Sequence, residues 1–307
     1  MLKQIQTLQK ALKPYRKVII WGLRNKKSNH RYIHEHFYTT LQKCYIPSLW
    51  LEDEQKNQSI VKSNDLVISV GFAAKNLPIV NNAYYCLHNF EENFHKKINA
   101  KNQICLQVYI QGVEQVAKKW NEVTYFNNKT RTLYQPWATN LLPQEFVNPV
   151  SVSSLHKLVF WIGSVWNNKQ NQGNLKEIAI LKKVLQKNGL LFLPIKGVSN
   201  NLNTLLIRIS RLAPAISGAW QVEHNYLNCR MWKNISYGQM GFSNVKKYQE
   251  IFKGSHVEGK NIEELVENAL SLSKSKYQEI IKRQQEIVKT KHTYLNRLLT
   301  IAQAMQS

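Results

Sequence analysis

The stretch CRMWKNISYGQMG, residues 229–241, combines a short helical pattern with a glycine and the start of a small apolar strand. Arg230 and Lys233 lie near the beginning of the pattern. In an α/β domain such a helix start is a common phosphate site, because free backbone amides and the helix dipole favour an anion. Arginine and lysine add charge-assisted hydrogen bonds. The stretch therefore predicts an α/β domain and a candidate phosphate site, which leaves open a sugar nucleotide, a nucleic acid or no ligand.

Outward from this stretch, short apolar runs alternate with amphipathic segments along most of the chain. Residues 18–23, 65–70 and 158–162 are typical of buried strands, and residues 174–188 are typical of a helix. The run 123–126 continues the same alternation. Such alternation predicts parallel βα units, whose ligands bind at the carboxyl ends of the strands.

A polar, proline-bearing connection that includes Ser151–Ser154 interrupts this alternation, which then restarts. We expect two Rossmann-like domains that face a cleft, at residues 1–150 and 155–275. Residues 276–303 have apolar positions at helical spacing and predict a helical C-terminal tail, residues 276–307, that packs back toward the first domain.

The 307 residues contain 42 lysines and arginines against 19 acidic residues, a net charge of +23. This charge favours a polyanionic partner such as nucleic acid, an anionic membrane face or a phosphorylated substrate. The lysines are spread along the chain, so a solvated surface fits equally well. The four cysteines form no CxxC pair, and no transmembrane or secretory segment is evident. We expect a cytoplasmic protein, with peripheral attachment to the inner face of the membrane left open.

Two polar segments of the second domain follow predicted strands. Gly163 and Ser164 lie where a backbone approaches a phosphate closely, although a plain turn fits equally well. Glu223 lies in a predicted loop over residues 218–226, where a carboxylate is suited to bind ribose hydroxyls. Packing of the loop's aromatic residues in the core is the alternative interpretation.

Histidines of the first domain are the candidate general bases. His88 directly follows a predicted strand, and an imidazole with a pKa of about 6.5 is suited to proton transfer near neutral pH. His30 is the member of the cluster His30, His34 and His36 that is best placed to face the cleft. We expect no metal at this cluster, because it lacks a cysteine and a second acidic partner.

These segments together resemble the GT-B glycosyltransferases and, more narrowly, a poorly characterised glycosyltransferase-like family of bacteria and large viruses. The resemblance is carried by YIH with Phe37 and Tyr38, LHN, LYQPWATNLLP, WIGS and the opening stretch, at residues 32–38, 87–89, 133–143, 161–164 and 229–241.

The resemblance implies a metal-independent glycosyltransferase that needs no cofactor, with a nucleotide-sugar as donor and a saccharide or lipid-linked acceptor. The positive charge of the chain adds an anionic membrane surface as a candidate partner, and no specific nucleic acid is expected. Its implied donor-site residues are Gly163, Ser164, Glu223, Arg230, Lys233, Asn234, Ser236, Tyr237 and Gly238. His88 and His30 would then be catalytic, and Trp137 and Thr139 would lie at the acceptor or at the hinge between domains.

The sequence departs from this family pattern in one respect. Many retaining members carry two glutamates in a Glu-x7-Glu pattern, whereas Glu223 has no second acid at the matching spacings. The stereochemistry of transfer therefore stays open. The alternatives are a non-enzymatic nucleic-acid-binding protein and a degenerate transferase fold that acts as a binding module.

Overall fold

The structure, a computed structural model, describes residues 2–25, 28–150, 153 and 155–307. It consists of two compact units: unit 1 comprises Met1–Leu142 and Tyr294–Ser307, and unit 2 comprises Pro143–Thr293. The division falls a few residues before the expected boundary at residue 150. Of the predicted connection Ser151–Ser154, all but Ser153 lies outside the described residues.

Unit 1 is built on an eight-stranded sheet of order β2-β1-β3-β4-β5-β8-β7-β6. Its strands are β1 Val18–Trp21, β2 Ser48–Leu51, β3 Leu66–Val70, β4 Tyr84–His88, β5 Gln103–Gln107, β6 Lys118–Lys119, β7 Tyr125–Asn127 and β8 Thr132–Tyr134. The six strands from β2 to β8 in this order pair in parallel, as predicted.

The strand β7 differs from the prediction, because it pairs antiparallel with both β8 and β6. The physical reason is the length of its connection to β8, which consists of residues 128–131 only. A parallel pair needs a crossover of about a dozen residues or more, whereas a short turn returns the chain antiparallel.

The helices of unit 1 are α1 Leu2–Leu12, α2 Asn29–Lys43, α3 Glu92–His95 and α11 Tyr294–Gln306. The last helix packs against α1, α2 and β5. Ser28 starts α2, since its side chain accepts a hydrogen bond from the Arg31 amide at 3.0 Å. This cap places the face of α2 that carries His30 and His34 beside the carboxyl end of β1.

Unit 2 contains two parallel strand pairs, β9 with β10 and β11 with β12. Its strands are β9 Leu158–Ile162, β10 Leu191–Ile195, β11 Ala213–Pro214 and β12 Gly241–Phe242. Its helices are α4 Leu175–Lys187, α5 Asn200–Ile209, α6 Ala219–Glu223, α7 Cys229–Ser236, α8 Lys247–Phe252, α9 Ile262–Ser271 and α10 Lys274–Lys291. The α/β fold class with a helical C-terminal end is therefore confirmed.

The predicted C-terminal helix is divided at His292 and Thr293, so that α10 belongs to unit 2 and α11 to unit 1. His292 is wholly buried, and its ring stacks on that of Trp232 in α7 at 4.1 Å between centroids. This stacking holds the chain at the end of α10. The predicted loop 218–226 also differs, because α6 forms within it and the Gly218 amide donates to the Gln221 side chain at 3.1 Å.

Candidate functional site

The helix α7 brings Arg230 to the carboxyl end of β9. The helix begins at Asn228, whose side chain accepts from the Met231 amide at 3.2 Å and donates to the Ser217 hydroxyl at 2.9 Å. From the first turn, the Arg230 guanidinium carbon lies 3.6 Å from the ring centre of the buried Trp161. The Arg230 Nε donates to the Ile162 carbonyl at 3.3 Å. The cation is therefore fixed at a strand end.

The electrostatics of α7 favour an anion at this place. Burial lowers the pKa of the Arg230 guanidinium to about 10 and that of the Lys233 ammonium to about 8. Within the described part of the chain, Arg230 forms no ion pair with a carboxylate. A bound anion would restore to both groups part of the solvation that they lose on folding.

Gly163 contributes space rather than an amide. Its φ of +137° is a backbone conformation that L-residues rarely adopt, and a Cβ there would lie 2.5 Å from Arg230 Nη2. The Gly163 amide donates to the Ile195 carbonyl at 3.0 Å, so the sheet uses the donor that we expected to face a phosphate. That expectation is corrected: Gly163 lets the Arg230 side chain lie across the strand end.

Ser164 lies in the loop that follows β9, and Glu223 ends the short helix α6. Their predicted contacts with a donor stay predictions. Ser164 is half-buried, and its carbonyl accepts from the Asn174 side chain at 3.4 Å. Glu223 is exposed at the last position of α6.

The remaining predicted donor-site residues lie at the other end of α7. Asn234 is buried and donates to the Ala213 carbonyl of β11 at 3.0 Å, and the Ser236 hydroxyl donates to the Lys233 carbonyl at 2.9 Å. The Tyr237 side chain is wholly buried. Gly238 has a φ of +92°, and a Cβ there would lie 2.5 Å from the Asn148 carbonyl oxygen.

These four residues lie at the end of α7, whereas the resemblance implied that Ser236, Tyr237 and Gly238 line its start. Their contact with a donor stays a prediction. The helix is only eight residues long, but its two ends differ in role. The buried C-terminal end anchors the helix, and the N-terminal end carries the cation.

The histidines of unit 1 come together at the carboxyl edge of its sheet. The ring centroids of His30 and His88 are 5.4 Å apart. His34 is buried, and its Nδ1 lies 3.3 Å from the carbonyl oxygen of Gly22, which follows β1. The sequence predicted that His88 follows its strand, whereas it is the last residue of β4.

Burial and mutual repulsion lower the basicity of this cluster. Burial lowers the pKa of His88 to about 3, with smaller contributions from the charges of His30 and His34. Burial also lowers the pKa of His30 and takes that of His34 to about 4. All three imidazoles are therefore neutral at pH 7, the form in which an imidazole accepts a proton.

Trp137 and Thr139 lie inside unit 1. The Trp137 ring packs edge-on against His88, with 5.2 Å between centroids, and Thr139 is wholly buried. Arg297 of α11 donates to the Pro136 carbonyl at 2.7 Å and to the Trp137 carbonyl at 3.4 Å. Trp137 thus forms a wall of the histidine cluster, while its role toward an acceptor stays a prediction.

Three residues of these sites were not predicted from the sequence. Asn228 caps α7, Trp161 lies under Arg230, and Phe72, 60% exposed, lies edge-on to His30 at 5.0 Å. Asn228 was recognisable, because asparagine directly before a helical pattern is a common N-cap. The other two contacts join residues that are distant in sequence, so no local pattern indicates them.

Among the residues that the structure describes, no three His, Cys, Asp or Glu side chains are arranged to hold a metal ion. Within the same residues, every helix is too short or too polar to cross a bilayer.

No protein-family model matches the chain, and no curated protein matches it. The chain is similar in structure to trehalose-phosphate synthases, which are glycosyltransferases of the GT-B fold. A trehalose-6-phosphate synthase matches with a TM-score of 0.48 and 8% identity over 99% of this chain and 94% of its own. The UDP-forming α,α-trehalose-phosphate synthase of Burkholderia vietnamiensis matches with a TM-score of 0.48 and 6% identity over 92% of this chain and 82% of its own.

A structure from E. coli described as trehalose-6-phosphate bound with UDP-2-fluoro glucose matches with a TM-score of 0.46 and 10% identity. It covers 92% of this chain and 80% of its own. At these values the similarity assigns no activity to this chain.

Proposed function

We propose that the chain is a metal-independent glycosyltransferase that takes its sugar from a nucleotide-sugar donor. The observation that carries the proposal is Arg230, a half-buried cation without a carboxylate partner in the described structure, stacked on Trp161 at the carboxyl end of a parallel strand. Ligands of α/β units bind at this edge. A diphosphate is the anion that this geometry suits.

In this proposal, Arg230 and Lys233 neutralise the diphosphate as it leaves the sugar. Two cations one turn apart in α7 can stabilise the negative charge that develops on the leaving group. Because both side chains are half-buried and have lost part of their water, their attraction for that charge is stronger than at an exposed surface.

His88 or His30 acts as the general base that removes the proton from the acceptor hydroxyl. A neutral imidazole in a partly buried site can accept this proton, and Trp137 packs edge-on against His88 while Phe72 packs edge-on against His30. The proposed acceptor is a saccharide or a lipid-linked saccharide. Retention or inversion is not specified by the proposal.

Thermal unfolding in the presence of UDP-, GDP-, ADP- and CMP-sugars tests the donor site. A donor at about 100 times its dissociation constant stabilises the protein by about 2.7 kcal/mol. We expect one nucleotide class to raise the Tm of the natural chain, and to raise that of Arg230→Gln by about half as much or less, because the variant binds the same concentration of donor at least tenfold more weakly. Lys183→Gln removes an exposed cation from α4 and is the matched control, because it should keep the full shift.

Release of the nucleoside diphosphate in the presence of mixed saccharide acceptors tests the reaction itself. The variants His88→Gln and His30→Gln identify the base. Replacement of the base should abolish release of the nucleoside diphosphate, whereas replacement of the histidine that only packs against it should reduce release less. An equal Tm shift in Arg230→Gln and the natural chain would contradict the donor site. Donor binding without turnover would favour the binding-module alternative.

A further inference from the structure

A cavity of about 750 Å³ opens on unit 1 at the edge of the sheet opposite to the histidine cluster. We call it the amino-edge cavity, because the amino end of β1 contributes to its wall. It is lined by Gln6, Gln9, Lys10, Leu12, Lys13, Tyr15, Lys17, Val18, Tyr45, Ile46 and Pro47.

The polar part of this lining is cationic. Lys10, Lys13 and Lys17 contribute three ammonium groups, and none of the described lining residues is acidic. Within the described structure these three lysines form no ion pair, whereas Lys187 pairs with Glu263 at 2.5 Å and Lys276 pairs with Glu279 at 3.1 Å. The cavity therefore concentrates positive charge that the fold itself does not neutralise.

The rest of the lining is apolar, with Leu12, Tyr15, Val18 and Ile46 as buried wall residues. Tyr45 stands at the rim and is 87% exposed. A lining that combines cations with apolar surface suits a ligand that is anionic and apolar at once, rather than a purely polar anion.

The backbone of Tyr45 is unusual. Its φ of +55° lies in the left-handed region, which is unfavourable for a bulky residue. The residue follows α2 in a tight turn, where a glycine would fulfil the same conformational role without strain. The Tyr45 ring is exposed and its backbone is strained, so it adds little to folding, which points to a role at the surface.

The cavity and the histidine cluster lie at opposite ends of the strand β1. Val18 begins β1 in the cavity wall, and Gly22 follows the end of the same strand at the histidine cluster. A strand of this length separates its two ends by about 13 Å. The amino-edge cavity is therefore distinct from the proposed catalytic histidines.

We propose that the amino-edge cavity and Tyr45 form a docking surface for an anionic phospholipid bilayer. The lysines contact the headgroup phosphates, and Tyr45 inserts its ring at the headgroup level, where tyrosine is enriched in membrane proteins. Charge complementarity together with the apolar wall of the cavity favours this partner, because a nucleic acid matches the charge but not the apolar wall. The proposal does not depend on the chain being a glycosyltransferase.

Co-sedimentation of the full chain with phospholipid vesicles tests the surface. The natural chain should bind vesicles of equal parts phosphatidylcholine and phosphatidylglycerol and should not bind phosphatidylcholine alone. Each lysine near an anionic surface changes partitioning about fivefold, so Lys10→Gln with Lys13→Gln and Lys17→Gln should weaken binding about a hundredfold.

The matched control changes three exposed lysines of α4 in unit 2, as Lys176→Gln with Lys182→Gln and Lys183→Gln. Both triple variants lower the net charge equally. If only the bulk charge of the chain matters, the two will lose binding equally, and that result overturns the proposal.

Tyr45→Gly separates docking from folding. Glycine relieves the left-handed strain, so the variant should be at least as stable as the natural chain while its binding to the anionic vesicles falls several-fold. Tyr45→Trp should retain binding. Unchanged vesicle binding in Tyr45→Gly, or binding of the natural chain to a mixed-sequence oligonucleotide but not to the vesicles, also overturns the proposal.

Discussion

Replacement of Gly163 by alanine tests the packing that places Arg230 at the strand end. A Cβ at this position would lie 2.5 Å from Arg230 Nη2, so the guanidinium must move. A long side chain moves easily in general, but this one is stacked 3.6 Å from the Trp161 ring centre. Gly163→Ala therefore removes an interaction as well as introducing backbone strain at a φ of +137°.

The magnitude follows from these two contributions. The unfavourable φ costs about 1–3 kcal/mol, and loss of a desolvated cation–π contact costs about 0.5–2 kcal/mol. We therefore expect Gly163→Ala to destabilise the chain by about 3 kcal/mol. In the Arg230→Ala background only the strain remains, so the two substitutions should show a coupling energy of about 1 kcal/mol.

A double-mutant cycle measures this coupling energy. It compares the free energies of unfolding of the natural chain, Gly163→Ala, Arg230→Ala and the double variant, each from equilibrium urea unfolding followed by tryptophan fluorescence and circular dichroism. Coincidence of the two probes justifies a two-state treatment. Gly189→Ala is the control, because Gly189 has a φ of +69° but a Cβ at this position would meet no atom within 4 Å. It should not couple to Arg230. Additive effects of Gly163→Ala and Arg230→Ala would refute the packing.

Three further predictions concern the same two sites. The pKa of His88 is about 3 in the folded chain and ordinary in the unfolded chain, so the unfolded chain binds more protons below about pH 6.5 and stability falls as pH falls. This titration changes the free energy of unfolding by about 1.4 kcal/mol per pH unit between about pH 6 and pH 4. The free energy of unfolding of His88→Gln should lack this contribution. Asn228→Ala should lower stability by about 1–2 kcal/mol through loss of the α7 cap, and Asn228→Ser should recover most of it in urea unfolding. Since the pKa of Lys233 is about 8, donor affinity should fall as pH rises through this value, whereas Lys233→Arg should keep its affinity in calorimetry at high pH.

Local sequence patterns predicted most of the fold. The run LVFWI predicted β9 at its observed bounds, because five consecutive apolar residues next to a glycine fit a buried parallel strand. The segment 123–126 was identified as extended, but its antiparallel pairing depends on the short connection to β8. The division at His292 depends on stacking against Trp232, which is distant in sequence.

The candidate sites were predictable in part. Arg230 was proposed because a cation at a helix start suits an anion, and His88 because residues that follow a strand tend to face ligands. The burial of Asn234 and Ser236 was not predicted, since a pattern of residue types does not distinguish the exposed start of a short helix from its buried end. The contact of Arg230 with Trp161 arises only when α7 packs on β9.

Isothermal titration calorimetry with the nucleotide-sugar that gives the largest thermal shift tests the central claim most directly. The natural chain should bind one donor at one site, and Arg230→Gln should bind it at least tenfold more weakly, since one charge-assisted contact is worth about 1.5–3 kcal/mol. Equal affinity in the natural chain and Arg230→Gln, or no binding of any nucleotide-sugar, would contradict the claim that the strand-end arginine holds a donor diphosphate.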